Sequence, residues 1–329
     1  MDNEILLSII IPVFNVENYL SECISSLITN DMNHVEIILI DDGSTDNSPY
    51  ICDQFANKHS YIVVKHTHNH GVAHARNIGL KLARGKWISW VDSDDVVFPG
   101  FVSIIKKLAK LDLADIYKFN YKVESDNDIS VLNQVAFNTS YLSEESKEKV
   151  MSELPTPIYG NYLWCRVFKY NLFKDLHFPE NNNCEDAFLM VEILERANKF
   201  YFYNDELYCH FYHQNTITTN KNKTYQVLQL RDWLNSNIRL TEKLQHFGYL
   251  KAYKLSQTQL LNISYFIVNK IDFEKLPDYG VYDKANNILN NYKKYIGVPI
   301  PQSFKIKLLL RHKYRGLYNL IMNIKYKLN

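Results

Sequence analysis

The chain has 329 residues, 46% of them hydrophobic, enough for one large domain with an appendage or for two domains, which excludes a disordered protein. Lys plus Arg number 37 against 36 for Asp plus Glu, a formal charge of +1, so bulk attraction to nucleic acid is excluded and any charge effect must be local. The five cysteines, Cys23, Cys52, Cys165, Cys184 and Cys209, are scattered and form no CxxC pair, which argues against a disulfide framework or structural zinc and fits a reducing cytoplasm.

In chain order, the acidic amino terminus MDNEILL runs straight into the continuous apolar run Leu6 to Phe14, rich in β-branched residues, which reads as a strand buried on both faces. No stretch approaches the ~20 apolar residues that span a bilayer, so neither secretion nor a transmembrane anchor is expected. Helical spacing follows over Glu17 to Ile28. A strand at Val35 to Ile40, a helix near Ser48 to Asn57, a strand at Tyr61 to Lys65, a helix at Val72 to Arg84 and a strand at Trp87 to Val91 continue the alternation. Strands alternating with helices predict an α/β fold with a doubly wound, mostly parallel sheet, in which ligands bind beyond the carboxyl ends of the strands. Beyond Pro99 the pattern loosens: a helix at Phe101 to Leu111, a strand at Asp115 to Tyr121 and a polar surface loop at Glu124 to Asn127. The segment Tyr162 to Phe168, a helix around Ala187 to Ala197, and strands near Phe200 to Tyr203 and Leu207 to Tyr212 follow. Thr224 to Lys270 reads as helical. The Asn/Lys/Thr-rich TTNKNKT marks a boundary near Asn220, dividing the chain into residues 1–219 and a helical region 220–329.

The strand ends hold the chemistry. The first ends in Pro12-Val13-Phe14-Asn15, the second in Asp41-Asp42-Gly43-Ser44-Thr45-Asp46, the fourth in Asp92-Ser93-Asp94-Asp95. Three carboxylates in four residues raise one another's pKa unless something cationic sits among them, and a hard divalent ion with its oxygen ligands is the simplest answer. Turn formation and helix capping would explain the same residues without function. Neither GxxxxGK[ST] nor GxGxxG occurs, which argues against a Walker ATPase and a dinucleotide-dependent dehydrogenase. A phosphatase of the haloacid-dehalogenase type carries its DxD after the first strand, not the fourth.

These segments, with Asn69-x-Gly71 running into Ala75-Arg76-Asn77-x-Gly79, resemble in order and spacing the motif series of glycosyltransferase family 2, inverting enzymes of GT-A fold, over roughly Leu6 to Thr218. The resemblance implies a nucleotide-sugar donor, most often a UDP-sugar, and a Mn²⁺ or Mg²⁺ cofactor. It implies that Pro12 and Phe14 border the uridine, that Asp42 accepts from the uracil, and that Asn69 and Arg76 complete the nucleotide pocket. Asp92 would face the ribose and Asp94 would hold the metal, with Asp92 in support and Asp95 beside them. Arg76 has a plainer reading as an exposed helix residue. Inverting transfer also needs a carboxylate apart from the metal to deprotonate the acceptor hydroxyl. Cys184-Glu185-Asp186 resembles the family's Glu-Asp pair, so Asp186 is expected as base and Glu185 as a positioning residue; favour for acidic groups at a helix start is the alternative. Trp164-Cys165-Arg166 resembles a segment that often reads Trp-Asn-Lys, and Arg166 departs from it while still able to meet a diphosphate.

His66, His68, His70 and His74 crowd together but precede a helix without supporting ligands, and read as a decoy for a metal site. His213, or failing it His210, lies where the resemblance implies a histidine near the metal. From Phe304 to Leu328 the chain is basic, without an acidic residue, and carries an apolar stripe at helical spacing. That stripe suits an anionic membrane surface or, equally by pattern, packing on its own helices or a second copy in a homo-oligomer. The tilt towards membrane comes from the resemblance, because bacterial enzymes of the family often extend lipid-linked glycans at the inner leaflet. The expectation is a cytoplasmic, peripherally membrane-bound enzyme adding a hexosyl or N-acetylhexosaminyl unit to a capsule, lipopolysaccharide or other surface glycan. A non-catalytic nucleotide-sugar-binding or scaffold protein, or a nucleotidyltransferase, is the alternative.

Overall fold

The computed structural model describes residues 4–124, 132–156, 160–213, 222–270 and 280–291. The chain divides into two compact units, residues 1–150 with 160–220 and residues 151–159 with 221–329. The basic stripe expected over Phe304 to Leu328 and the Thr216-Ile217-Thr218 segment lie outside the described residues.

The first unit opens with four strands, β1 (Leu7–Val13), β2 (Val35–Asp41), β3 (Ile62–His66) and β4 (Trp87–Trp90), linked by α1 (Leu20–Leu27), α2 (Ser48–Lys58) and α3 (Val72–Leu82). They pair in parallel in the order β3-β2-β1-β4. β2 is buried at every position and β1 at all but Pro12, the burial that an unbroken apolar run predicts for a central parallel strand. Because β2 lies on one side of β1 and β4 on the other, the winding changes direction at β1. A crevice opens there beyond the carboxyl ends of β1, β2 and β4, where the acidic motifs stand.

The rest of the unit is β5 (Val96–Val97), α4 (Phe101–Leu111), β6 (Ile116–Glu124), β7 (Leu142–Glu145), α5 (Lys147–Glu153), β8 (Arg166–Lys169), α6 (Glu185–Arg196) and β9 (Phe200–Phe211), with α5 running on into the second unit. Among the described residues nine strands form one sheet, β3-β2-β1-β4-β8-β6-β9-β5, with β7 paired to β9. β8 is inserted antiparallel between β4 and β6, so the parallel character is confined to one half and to the β6–β9 pair.

Several segments differ from the sequence reading. The two strands expected over Phe200 to Tyr203 and Leu207 to Tyr212 are one, Phe200–Phe211: the polar Asn204-Asp205-Glu206 suggests a turn, but the chain absorbs it as register shifts around Asn120 while staying extended. Of Tyr162 to Phe168 only the end, from Arg166, is strand. Glu124, expected in a loop, closes β6. In the second unit the expected helix Thr224 to Lys270 is two, α7 (Lys223–His246) and α8 (Leu250–Lys270), broken where Gly248 takes φ +85 and the Gly248 and Tyr249 N–H groups donate to the Gln245 and Leu244 carbonyls. These helices and α9 (Val281–Asn290) share a core of Val227, Leu234, Leu260, Ile263, Ile267 and Val281.

One glycine fixes the crevice wall. Gly43 has φ +72, and a Cβ there would stand 2.7 Å from the Asn69 backbone nitrogen. Gly43→Ala therefore meets both a left-handed backbone and an immovable neighbour, and is expected to lower stability by about 2 kcal/mol or more, read from urea unfolding midpoints.

Candidate active site

The loops after β1 and β2 are laced together. Asn15 holds φ +52, accepts the Thr45 N–H at 2.7 Å through its side chain, and donates its own N–H to Ser44 Oγ at 3.0 Å. Glu17 N–H donates to Asp46 Oδ2 at 3.0 Å; burial works against that carboxylate, but this bond and those from Ser48 hold its pKa below the ordinary value. Phe14 caps the same edge with a ring 44% exposed, a face free to take a planar base. Pro12 is half-buried beside it.

Asp42 is buried and its carboxylate is largely committed to the chain. It accepts from Gly71 N–H at 2.7 Å, from His70 N–H at 3.1 and 3.3 Å, and from Thr67 Oγ1 at 3.2 Å. Its role in the fold is thus to shape the segment that carries the exposed Asn69. Asp41 binds His66 Nδ1 at 2.8 Å, which raises the imidazole above its ordinary pKa. Of the four crowded histidines, His66 serves this carboxylate, while His70 and His74 lie ring to ring and His74 reaches Glu180 at 3.2 Å.

The Asp92-Ser93-Asp94-Asp95 turn places its three carboxylates differently. Asp95 is fully buried and saturated, accepting from Tyr208 Oη at 2.7 Å, His210 Nδ1 at 3.0 Å and Phe211 N–H at 2.9 Å. It anchors β9 and does not face a ligand. Tyr208 also accepts the Asp92 N–H at 3.0 Å, so one hydroxyl pins both ends of the turn. Asp92 and Asp94 remain at the cleft. Asp92 keeps 31% of its side chain open and lies 3.4 Å from Arg76 Nη2; confinement raises its pKa, Arg76 opposes, and Asp95 and Asp186 add to the rise. Asp94 is pushed up to about 7, first by burial and then by Asp95 and Asp92.

Arg76 links the two halves of the site. Far from being an exposed helix residue it is buried, donating through Nη1 to Glu185 and approaching Asp92 through Nη2, while its buried Nε–H has no hydrogen-bond partner among the described residues. α3 also grips the chain leading to α6: Asn77 Nδ2 donates to the Phe178 carbonyl at 2.9 Å and Phe178 N–H returns to Asn77 Oδ1 at 2.8 Å. The Ala75-Arg76-Asn77 motif thereby fixes where Glu185 and Asp186 begin their helix. Asp186 is raised above the ordinary carboxylate value, burial prevailing over the pull of Arg76 and the Ala187 N–H.

Two residues expected at the ligand are held by bonds within the chain. Arg166 is fully buried in the sheet, where its guanidinium donates to the carbonyls of Tyr162 and Gly160, the latter at 3.0 Å. It secures the loop before β8, and from there its charge pulls the Asp186 pKa down against burial. His213 stacks on Tyr19 at 4.0 Å and gives its Nε2 proton to the Asp94 carbonyl at 2.9 Å, so that nitrogen offers no lone pair to a metal in this arrangement. Among the described residues no cluster of three His, Cys, Asp or Glu side chains forms a metal cage. The donor set that is present, Asp94 with Asp92 and a proton affinity raised first by burial and then by neighbouring carboxylates, fits a hard divalent ion completed by phosphate oxygens, not a cation caged by protein alone.

The same groups set a stability profile. Asp94 binds its proton more tightly in the folded chain than in the unfolded one, a contribution complete below about pH 3.8 and lost as the pH rises to about 7. His66 and His210, raised above 6.5, lose theirs as the pH climbs further, while the lowered Asp31, Asp112 and Asp115 matter only at the acid end, below 3.8. The ligand-free protein is expected to melt at a lower temperature at pH 8 than at pH 6, and Asp94→Asn to narrow the gap, by calorimetry.

The model of the family described as Glycosyl transferase family 2 matches residues 8–176, β1 through β8, stopping short of Asp186. The glycosyltransferase GlyG of Streptococcus pneumoniae serotype 4 is 30% identical over 217 residues, 62% of this chain and 69% of that protein. The minor teichoic acid biosynthesis protein GgaB of Bacillus subtilis is 31% identical over 206 residues, 59% of this chain but 21% of its own length. Two further curated relatives are spanned over 42% and 63% of their length. Among solved structures, S. aureus TarS 1-349 in complex with UDP-GlcNAc superimposes with a TM-score of 0.65 at 18% identity, covering 89% of this chain and 82% of TarS, which shows a shared GT-A fold. Among the described residues no helix is long and apolar enough to cross a membrane. With the family model spanning the strand ends that carry the acidic crevice, and a relative matched over most of its length, this chain belongs to glycosyl transferase family 2 and is a nucleotide-sugar glycosyltransferase.

Proposed function

We propose that the protein transfers a hexosyl or N-acetylhexosaminyl unit from a UDP-sugar, with inversion, to a hydroxyl of a growing cell-surface glycan, and that Asp186 is the base. The observation that carries this is the double engagement of Arg76: its Nη2 approaches Asp92, from the turn that also carries Asp94, while its Nη1 binds Glu185, the neighbour of Asp186. Inversion needs a base distinct from the groups that hold the diphosphate, because the acceptor must attack C1 from the face opposite the leaving diphosphate. Phe14 and Asn69, on loops shaped by Asn15 and Asp42, would hold the uridine. A divalent ion at Asp94 and Asp92, Mn²⁺ or Mg²⁺, would neutralise the charge that gathers on the departing diphosphate. Asp186, with its raised proton affinity, would take the hydroxyl proton as the new C1–O bond forms and the C1–O(phosphate) bond breaks. Glu185, held by Arg76, would position the acceptor. The UDP-GlcNAc complex of TarS supports the uridine donor, and the teichoic acid role named for GgaB supports a surface-glycan acceptor.

A thermal-shift screen of UDP-, GDP- and CMP-sugars with and without Mn²⁺ tests the reading, since a ligand that binds only the native state raises its melting temperature. UDP-sugars should shift it most, and only with metal. A larger shift by GDP- or CMP-sugars, or one indifferent to metal, would overturn the donor assignment.

A further inference from the structure

A stack of aromatic rings leads out of the crevice. Three rings stack on Trp164: Tyr208 at 4.7 Å and 19°, Tyr162 at 4.9 Å and 20°, and His210 at 5.6 Å and 13°. Tyr121 closes the edge, its ring 4.6 Å from Trp164 at 88°. The inner end of this stack is the Asp95 anchor, since both Tyr208 and His210 bind that carboxylate, and Tyr208 also holds the Asp92 N–H. Its outer end is Tyr162, 42% exposed.

Most aromatic residues in this unit are spent on the core, and Tyr162 is not. The chain also invests in holding it still. Arg166, a fully buried cation, gives its guanidinium to the carbonyls of Tyr162 and Gly160, fixing the backbone beneath that ring. A rigid ring with one face supported and part of its surface in water is suited to the C–H face of a pyranose, which is apolar and matches the electron-rich face of an aromatic ring.

We infer that Tyr162, backed by Trp164 and steadied by Arg166, is a subsite for a pyranose unit of the acceptor glycan. This rests on the proposed transfer reaction and adds to it the chemical class of the acceptor, a pyranoside held by ring stacking. Placement fits that role: the stack is continuous with the turn that presents Asp92 and Asp94, whereas the expected uridine edge, Phe14, lies on the loop after β1.

The test is saturation-transfer NMR on the full chain with UDP and Mn²⁺ present, using methyl α- and β-glycosides of glucose, galactose, N-acetylglucosamine and N-acetylgalactosamine as probes. For at least one glycoside the ring C–H protons should receive saturation from the wild type and from Tyr162→Phe, and binding should weaken about tenfold in Tyr162→Ala. UDP-induced thermal stabilisation should be the same in all three proteins. Equal transfer from Tyr162→Ala, or no transfer to any glycoside from a wild type that still binds UDP, overturns the subsite. Failure of the wild type to bind UDP overturns the transfer reading instead. Arg166→Met gives an independent arm: it should weaken glycoside binding while keeping the UDP shift, and unchanged glycoside binding in a folded Arg166→Met would remove its steadying role.

Discussion

Asp186→Asn is expected to abolish transfer while leaving uridine binding intact. Asn has the shape of Asp but cannot take a proton, so the acceptor hydroxyl must attack without a base, a loss of about 10²- to 10⁴-fold. The usual confounder, loss of fold, works in the opposite direction here. The raised proton affinity of Asp186 means that its charge costs stability at neutral pH, and a neutral isostere removes that cost. The variant should therefore melt no lower than wild type at pH 7.5, and should show the same Mn²⁺-dependent shift with UDP. UDP release from the donor identified by thermal shift, followed with a glycoside acceptor, is the measurement. Transfer at the wild-type rate would take Asp186 out of the role and leave Glu185, already bound to Arg76, as the only acidic neighbour at that helix start.

The parallel core was legible because a strand covered on both faces leaves an unbroken apolar run, and β1 and β2 show that burial. The acidic strand ends were legible because the fold rule places ligands there. What escaped was whatever depends on partners far along the chain. Asp95 reads like its neighbours Asp92 and Asp94, yet Tyr208 and His210 bury it in bonds that no local pattern announces. Arg166 suggested a diphosphate contact by chemistry alone, but its guanidinium is buried against the Tyr162 and Gly160 carbonyls of the loop before β8, a pairing that no local pattern announces. The helix starting at Glu185 was expected two residues late, at Ala187, because its first turn is polar and carries no apolar periodicity. The two-residue β5 and the edge strand β7 carry too little sequence to show a period at all. Tyr121, Tyr162 and Trp164 were visible only as scattered aromatics, and no signal short of the fold brings them together.

Arg76→Met is expected to cost more stability than any other single change at this site. The guanidinium is buried between Asp92 and Glu185, and a neutral side chain of similar length leaves those carboxylates, with Asp186 nearby, facing one another without a cation. Removing one partner of a buried ion pair costs about 3–5 kcal/mol, mostly for the charge left behind. That origin gives the loss a signature in pH. Protonation of the abandoned carboxylates relieves it, so the melting temperature of Arg76→Met should recover towards wild type between pH 8 and pH 5.5; a deficit independent of pH would mean that lost packing, not charge, is responsible. Adding Glu185→Gln to Arg76→Met should restore part of the stability, because the double variant no longer buries an unpaired charge at that position. Arg76→Lys should fall between them: a single ammonium keeps the charge but cannot span two carboxylates as the planar fork does. If the double variant is no more stable than Arg76→Met, Glu185 does not depend on Arg76, and the guanidinium serves the Asp92 side alone.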